Sequence, residues 1–180
     1  MESDNLVVKL ETKRTYLRKF VESDVTQIFK WGQNPVYKRT AGFSNIKDKY
    51  QAKQAIAQYM ARPLSFAVVL KETDEVIGVV ELSNRGEEQE SGLLATKELG
   101  LMLDQAYWGQ HIMSEVLPLI IDFARDELHL TELWAGVYPD NKASKNLLLK
   151  FHFEYKYQVD YSVMYQFADY QEDYYRLKLN

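Results

Sequence analysis

Apolar and polar positions change period several times along the chain, and each change marks an element. Tyr16-Leu17-Arg18-Lys19-Phe20 alternates and predicts a first strand. Ser23 stands where a cap would precede a helix whose apolar face is Val25, Ile28 and Phe29. A second helix is expected over 46–60, carried by Ala52, Ala55, Ile56 and Tyr59. Two apolar runs, 66–70 and 76–82, flank Glu72-Thr73-Asp74-Glu75, the pattern of a hairpin with a polar turn. A further strand covers 98–103. Apolar residues at 113, 117, 120, 121, 124 and 128 then recur at helical spacing and predict a helix over 112–128. Pro118 lies inside it and frees the Ser114 carbonyl. A strand over 133–137 and a short helix over 143–150 follow, the helix capped by Asp140 or Asn141. Strands over 153–165 and 174–179 close the chain. Early hairpins with later strand–helix–strand crossovers predict an α+β fold, a mixed sheet covered by helices.

Composition narrows the possibilities. A chain of 180 residues with 46% hydrophobic and 27% charged residues is expected to fold as one domain over 1–180. The net charge of −4 argues against gripping nucleic acid and is compatible with a cationic amine substrate. The cysteine count is zero, which removes disulfides, thiolate nucleophiles and Cys-based metal sites. The acidic start, Met1-Glu2-Ser3-Asp4, lacks a secretory pattern, and no apolar run is long enough for a membrane span. A cytoplasmic protein without membrane or nucleic-acid partners is expected. The polar stretch 83–96 reads as a loop.

Few familiar catalytic sets are present. The sequence contains no G-x-G-x-x-G or phosphate-loop pattern and no G-x-S-x-G elbow, and His111, His129 and His152 are scattered. What remains is a strand, a short turn and a long helix over 98–128. Such a helix start offers free backbone N–H groups to an anion.

The segments around that turn resemble the GNAT family of acetyl-CoA-dependent N-acetyltransferases, in particular the ribosomal-protein N-terminal acetyltransferase branch. The matching residues, in the family's order, begin with Glu11-Thr12-Lys13-Arg14-Thr15-Tyr16-Leu17-Arg18 and Asn34-Pro35-Val36. Phe66 to Leu70, Ile77-Gly78, Leu82, Glu98-Leu99-Gly100, Tyr107-Trp108-Gly109 and Pro139-Asp140-Asn141-Lys142-Ala143-Ser144 follow. The resemblance implies a mixed sheet of about seven strands flanked by about four helices. It implies acetyl-CoA as co-substrate and no metal. The pantetheine arm would lie along Leu101, Met102 and Leu103. The pyrophosphate would rest on the amides of Gly109, Gln110, His111, Ile112, Met113 and Ser114. Asn141 and Ser144 match positions near the thiol.

The sequence also departs from the family pattern. The slots of the [Q/R]-x-x-G-x-[G/A] motif fall on Trp108, His111 and Met113, so two small residues are replaced by larger ones. Leu148 occupies a slot where many members carry a tyrosine general acid, and His152 stands where glycine usually precedes Phe153.

An amine must lose a proton before it attacks a thioester, and Glu98 and Glu81, at two strand ends, are the candidate bases. A strand-four amide would hold the thioester oxygen, and Ser144 is the candidate acid for the departing thiolate. A helix-first-turn serine bonding its own backbone is the plainer reading of Ser144. Without cysteine, direct transfer in a ternary complex is expected. The acceptor is a primary amine, on a protein N-terminus or a small molecule. A spermidine or polyamine acetyltransferase and a catalytically silent CoA-binding module are the alternatives. Tyr155, Tyr157, Tyr161, Tyr165, Tyr170, Tyr174 and Tyr175 read either as cross-strand pairs or as an acceptor or dimer surface. Monomer and homodimer are both compatible with the sequence.

Overall fold

A computed structural model of the protein describes residues 10–41, 45–86, 92–164 and 170–179. Seven strands form one sheet: β1 (Thr15–Arg18), β2 (Ser65–Leu70), β3 (Glu75–Asn84), β4 (Thr96–Leu103), β5 (Glu132–Val137), β6 (Glu154–Asp160) and β7 (Gln171–Lys178). Their spatial order is β1-β2-β3-β4-β5-β7-β6. All neighbours are antiparallel except β4 and β5. The helices are α1 (Val25–Gln33), α2 (Pro35–Ala41), α3 (Lys49–Ala61), α4 (Ile112–Asp122), α5 (Lys142–Lys150) and the single turn α6 (Tyr161–Met164). This is the mixed, helix-covered α+β sheet that the hydrophobic pattern and the resemblance predict.

Alternation along the strands creates two cores. One face of the sheet packs Val68, Ile77, Val80 and Leu133 against α4 and α5. The other packs Ala67, Val69, Val79 and Met102 against α1 to α3. In α4, Val116, Leu117 and Ile120 are fully buried. Each such side chain contributes about 1.5–3 kcal/mol by leaving water. That burial anchors a helix whose ladder Pro118 interrupts.

Several boundaries differ from the sequence reading. Ser23 is not the cap of α1. It lies in a 3-10 turn, and Asp24 takes the Val21 N–H at 3.0 Å and two Arg18 bonds at 2.7 and 2.9 Å. The helix expected from 46 starts at Lys49, because Asp48 accepts the Gln51 N–H at 2.8 Å. α2 was not expected at all; Pro35 opens it, at a position where its missing N–H costs nothing. The long helix stops at Asp122 and continues as a wider π turn, Phe123–Glu127. The strand expected over 153–165 ends at Asp160. Tyr165, residues 87–91 of the expected loop, and Met1 to Asp4 lie outside the described residues. Among the described residues, no helix is long and apolar enough to cross a membrane.

Candidate functional site

The parallel pairing of β4 with β5 spans only Thr96↔Glu132, Lys97↔Leu133 and Glu98↔Trp134. Beyond Glu98, the rest of β4 pairs with β3 alone, so the strands splay and leave one edge of β4 without a strand partner. The helix after β5 is α5, and a groove of about 690 Å³ lies between it, the exposed stretch of β4 and the start of α4. Leu101, Met102, Leu103, Gly109, His111, Met113, Ser114, Asn141 and Ser144 of the expected set all line it. Gln110 and Ile112 do not. The Gln110 side chain turns back to the Ala106 carbonyl at 3.1 Å, and Ile112 is only 2% exposed within the core.

The loop ahead of α4 owes its shape to two left-handed residues, Gly109 (φ 73°) and His111 (φ 59°, ψ 18°). His111 occupies the family's glycine slot, and as a non-glycine residue it pays about 1–2 kcal/mol for this conformation. It is exposed and lines the groove. Met113, in the other small-residue slot, lies against β3, where a Cβ on Gly78 would come within 3.2 Å of its Cε. The Trp108 Nε1–H donates to the Leu103 carbonyl at 2.8 Å and ties the loop to the end of β4. Arg14 donates from Nη2 to the Gln110 carbonyl at 2.7 Å and from Nε to Glu115 at 2.9 Å.

A second cavity of about 210 Å³ opens at the splay itself. It shares Leu101, Asn141 and Ser144 with the groove and adds Glu81, Glu98 and Glu172. Both candidate bases are therefore brought to one place, but in different states. Glu81 is ion-paired with Arg62, whose Nη1 lies 2.8 and 3.0 Å from its two oxygens. Glu98 carries no such pair among the described residues, and burial, with the neighbouring Glu172, raises its carboxyl above the usual range. Burial likewise raises Glu172, against the hydrogen bonds it receives from Tyr174 and Tyr161. Gly136 makes room for it: a Cβ there would sit 2.8 Å from Glu172 Oε2.

Asn141 caps α5, accepting the Ser144 N–H at 3.1 Å, and its Nδ2 donates to the Thr40 carbonyl of α2 at 3.1 Å. The Ser144 hydroxyl has no hydrogen-bond partner among the described residues, so it does not perform the local backbone bond expected of a first-turn serine. Leu148 is 2% exposed and belongs to the core.

The tyrosines contact one another, two of the pairs across β6 and β7. Tyr157 stacks on Tyr174 at 5.3 Å, Tyr155 meets Tyr175 at 5.8 Å, and Tyr161 stacks on Tyr170 at 4.9 Å. The Tyr161 and Tyr174 hydroxyls lie 2.7 Å apart, and Tyr174 donates to Glu172 at 3.1 Å, so the ladder reaches the acidic cavity.

Sequence reasoning missed Glu172, Arg62, Arg14 and Asp104. Asp104 is 3% exposed and accepts from Gln27 at 2.8 Å, Trp31 at 2.9 Å, Lys30 at 3.0 Å and the Ala106 N–H at 3.0 Å. It joins α1 to the end of β4 just before the groove loop. The only signal for it was an acid following an apolar strand.

Comparison with known proteins agrees with this geometry. The family described as "Acetyltransferase (GNAT) domain" matches residues 14–154. The uncharacterized N-acetyltransferase YoaA of Bacillus subtilis (strain 168) is 28% identical over 150 residues, covering 81% of this chain and 82% of YoaA. Among solved structures, the ribosomal-protein-S5-alanine acetyltransferase of Vibrio fischeri shares the fold at a TM-score of 0.75 and 20% identity, covering 96% of this chain and 97% of that one. The yncA protein of Salmonella typhimurium, solved with its cofactor acetyl-CoA, does so at 0.72 and 21%, covering 92% and 94%. A sheet that splays beside a helix start, over a chain matched for most of its length, makes this protein a member of the GNAT family of acetyltransferases.

Proposed function

We propose that the protein moves an acetyl group from acetyl-CoA to a primary amine, with the thioester delivered along the groove and the amine entering through the acidic cavity. The observation that carries this reading is the meeting of the two cavities at Leu101, Asn141 and Ser144, beside Glu98. The groove fits the co-substrate in chemistry as well as shape: apolar Leu101 and Leu103 suit an extended thiol arm, and the loop from Gly109 to Ser114 offers amides and a helix dipole to a dianion. The family uses acetyl-CoA, and the groove needs no lysine or metal to hold phosphate.

Glu98 takes the proton from the acceptor ammonium, and the free amine attacks the thioester carbonyl carbon. Its raised carboxyl brings the base closer to neutral pH, where proton transfer is better matched. Glu81, already neutralised by Arg62, shapes the cavity instead. As the carbon–sulfur bond breaks, the Ser144 hydroxyl hands its proton to the thiolate and regains one, through water, from the attacking nitrogen, which thereby becomes the neutral amide. With no cysteine in the chain, transfer is direct.

The acceptor is a protein N-terminus or a small amine. Support for a protein acceptor comes from the likeness to the Vibrio fischeri enzyme, whose name gives an alanine of ribosomal protein S5 as its acceptor. The three carboxylates of the cavity favour a polyamine as the second reading. Release of CoA from acetyl-CoA, measured with alanine- and serine-ended peptides and then with spermidine, separates them. Turnover on peptides alone supports the first reading, turnover on spermidine alone the second, and release with neither sinks both.

A further inference from the structure

We propose that Arg14 is a positioning residue for the cofactor, clamping the loop ahead of α4 in the left-handed shape that a glycine at position 111 would adopt unaided. This rests on the acetyl-CoA reading above and deepens it. Arg14 precedes β1, nearly a hundred residues before the loop, and lines neither cavity. Its planar fork nevertheless holds two groups of the loop and helix at once, the Gln110 carbonyl through Nη2 at 2.7 Å and Glu115 through Nε at 2.9 Å.

The first bond sets a direction. In a trans peptide the carbonyl of Gln110 and the N–H of His111 point opposite ways. With the carbonyl drawn to Arg14, which lies outside the groove, the His111 N–H is turned the other way, and His111 lines the groove. No backbone or side-chain acceptor among the described residues takes that N–H. A strained residue persists only where its surroundings over-determine it. Here the family's glycine is gone, and the Arg14 bond to the preceding carbonyl supplies the constraint.

The second bond removes a conflict. Glu115 sits in the first turn of α4, where its charge would repel a bound dianion. Arg14 pairs with it at 2.8 Å and holds its carboxyl below the usual range, so the pair is close to neutral toward the groove.

Calorimetric titration with CoA tests the clamp in wild type, Arg14→Ala, Arg14→Lys, His111→Gly and the Arg14→Ala/His111→Gly double variant, alongside the acceptor KM. Arg14→Ala should weaken CoA about tenfold at unchanged stoichiometry, the size of a lost charge-assisted bond, with acceptor KM held. In the His111→Gly background the same change should cost roughly threefold or less, because the glycine no longer needs holding. Arg14→Lys keeps the charge beside Glu115, but one ammonium cannot span both partners, so its loss should be smaller and in the same direction. It also carries the test if Arg14→Ala does not fold. An unchanged affinity in Arg14→Lys and Arg14→Ala, an equal loss in both backgrounds, or an acceptor KM that rises as much as the CoA dissociation constant overturns the clamp. Wild-type protein that gives no heat with CoA overturns instead the cofactor reading beneath it.

Discussion

Arg62, the residue that closes α3, holds both oxygens of Glu81 within β3, and that single pair separates two glutamates that share one cavity. Glu81 is already compensated; Glu98 is not. Replacing Glu81 with Gln removes a partly exposed pair, so stability should fall by about 1 kcal/mol or less and kcat should change by roughly threefold at most. Steady-state kinetics with a thermal melt checks both numbers. A hundredfold loss of kcat in Glu81→Gln would transfer the base to Glu81.

The raised carboxyl of Glu98 makes a stability claim with a definite sign. Its folded value lies above the unfolded one, so the unfolded chain ionises first as pH rises. The site is therefore most stable in acid and loses stability as pH rises through the folded value. Glu98→Gln should raise the melting temperature at pH 7 and leave it nearly unchanged well below pH 4.5, the ordinary value. Melts at the two pH values would show it, and a lower melting temperature at pH 7 would contradict it.

Asp104 works in the opposite sense. Burial would raise it, but bonds from Ala106, Trp31 and Lys30 prevail and hold its carboxyl below the usual range. The stability it confers is present above the unfolded value and is lost as pH falls through the lowered one. Asp104→Ala strands several buried donors and should cost about 3–5 kcal/mol. Denaturant unfolding reads this directly; a loss under about 1 kcal/mol, no more than one ordinary hydrogen bond, would remove Asp104 as the joint between α1 and β4.

Ser144 admits three roles with different kinetics. If it protonates the leaving thiolate, Ser144→Ala should lower kcat at least tenfold with CoA affinity retained. A hydrogen bond to bound CoA would instead lower affinity by about 0.5–1.5 kcal/mol with kcat kept. A helix cap would lower the melting temperature alone, and the Asn141 bond to its N–H already performs that work. Full turnover in Ser144→Ala would exclude the acid role.

His152 closes α5 as His111 opens α4, in a left-handed conformation (φ 65°). The Phe153 N–H reaches the Leu148 carbonyl at 3.1 Å and the His152 N–H reaches Leu149 at 3.1 Å, a Schellman closure that glycine normally serves. His152→Gly should stabilise the protein by about 0.5–1 kcal/mol. A melting temperature raised by about 2 °C would match, and a lowered one would not.

The parts legible in the sequence are those that local chemistry decides. The β2–β3 hairpin follows from two apolar runs around a polar turn, and the α5 start from the capping residues Asp140 and Asn141, of which Asn141 is the cap. Glu81 was legible because an acid interrupts an apolar run, and Glu98 because it opens the expected strand over 98–103. Glu172 was not. Its approach to Glu98 depends on β7 pairing with β5 in the register that sets Gly136 opposite Tyr174, a long-range choice with no local signature. The same holds for Arg14 and Asp104, each of which acts on residues distant in sequence. α2 was missed because seven residues that begin with a proline carry too little periodicity to stand out.

The claim that the splay of β4 and β5 is where amine and thioester meet, with Glu98 taking the proton, has one direct measurement. The pH dependence of kcat at saturating acetyl-CoA and acceptor should be compared between wild type and Glu98→Gln. Wild type should lose activity in acid at a pH above the ordinary carboxylate range, and Glu98→Gln should lose about a hundredfold in kcat together with that limb. A Glu98→Gln enzyme with kcat within twofold of wild type and the acidic limb in place would contradict the account.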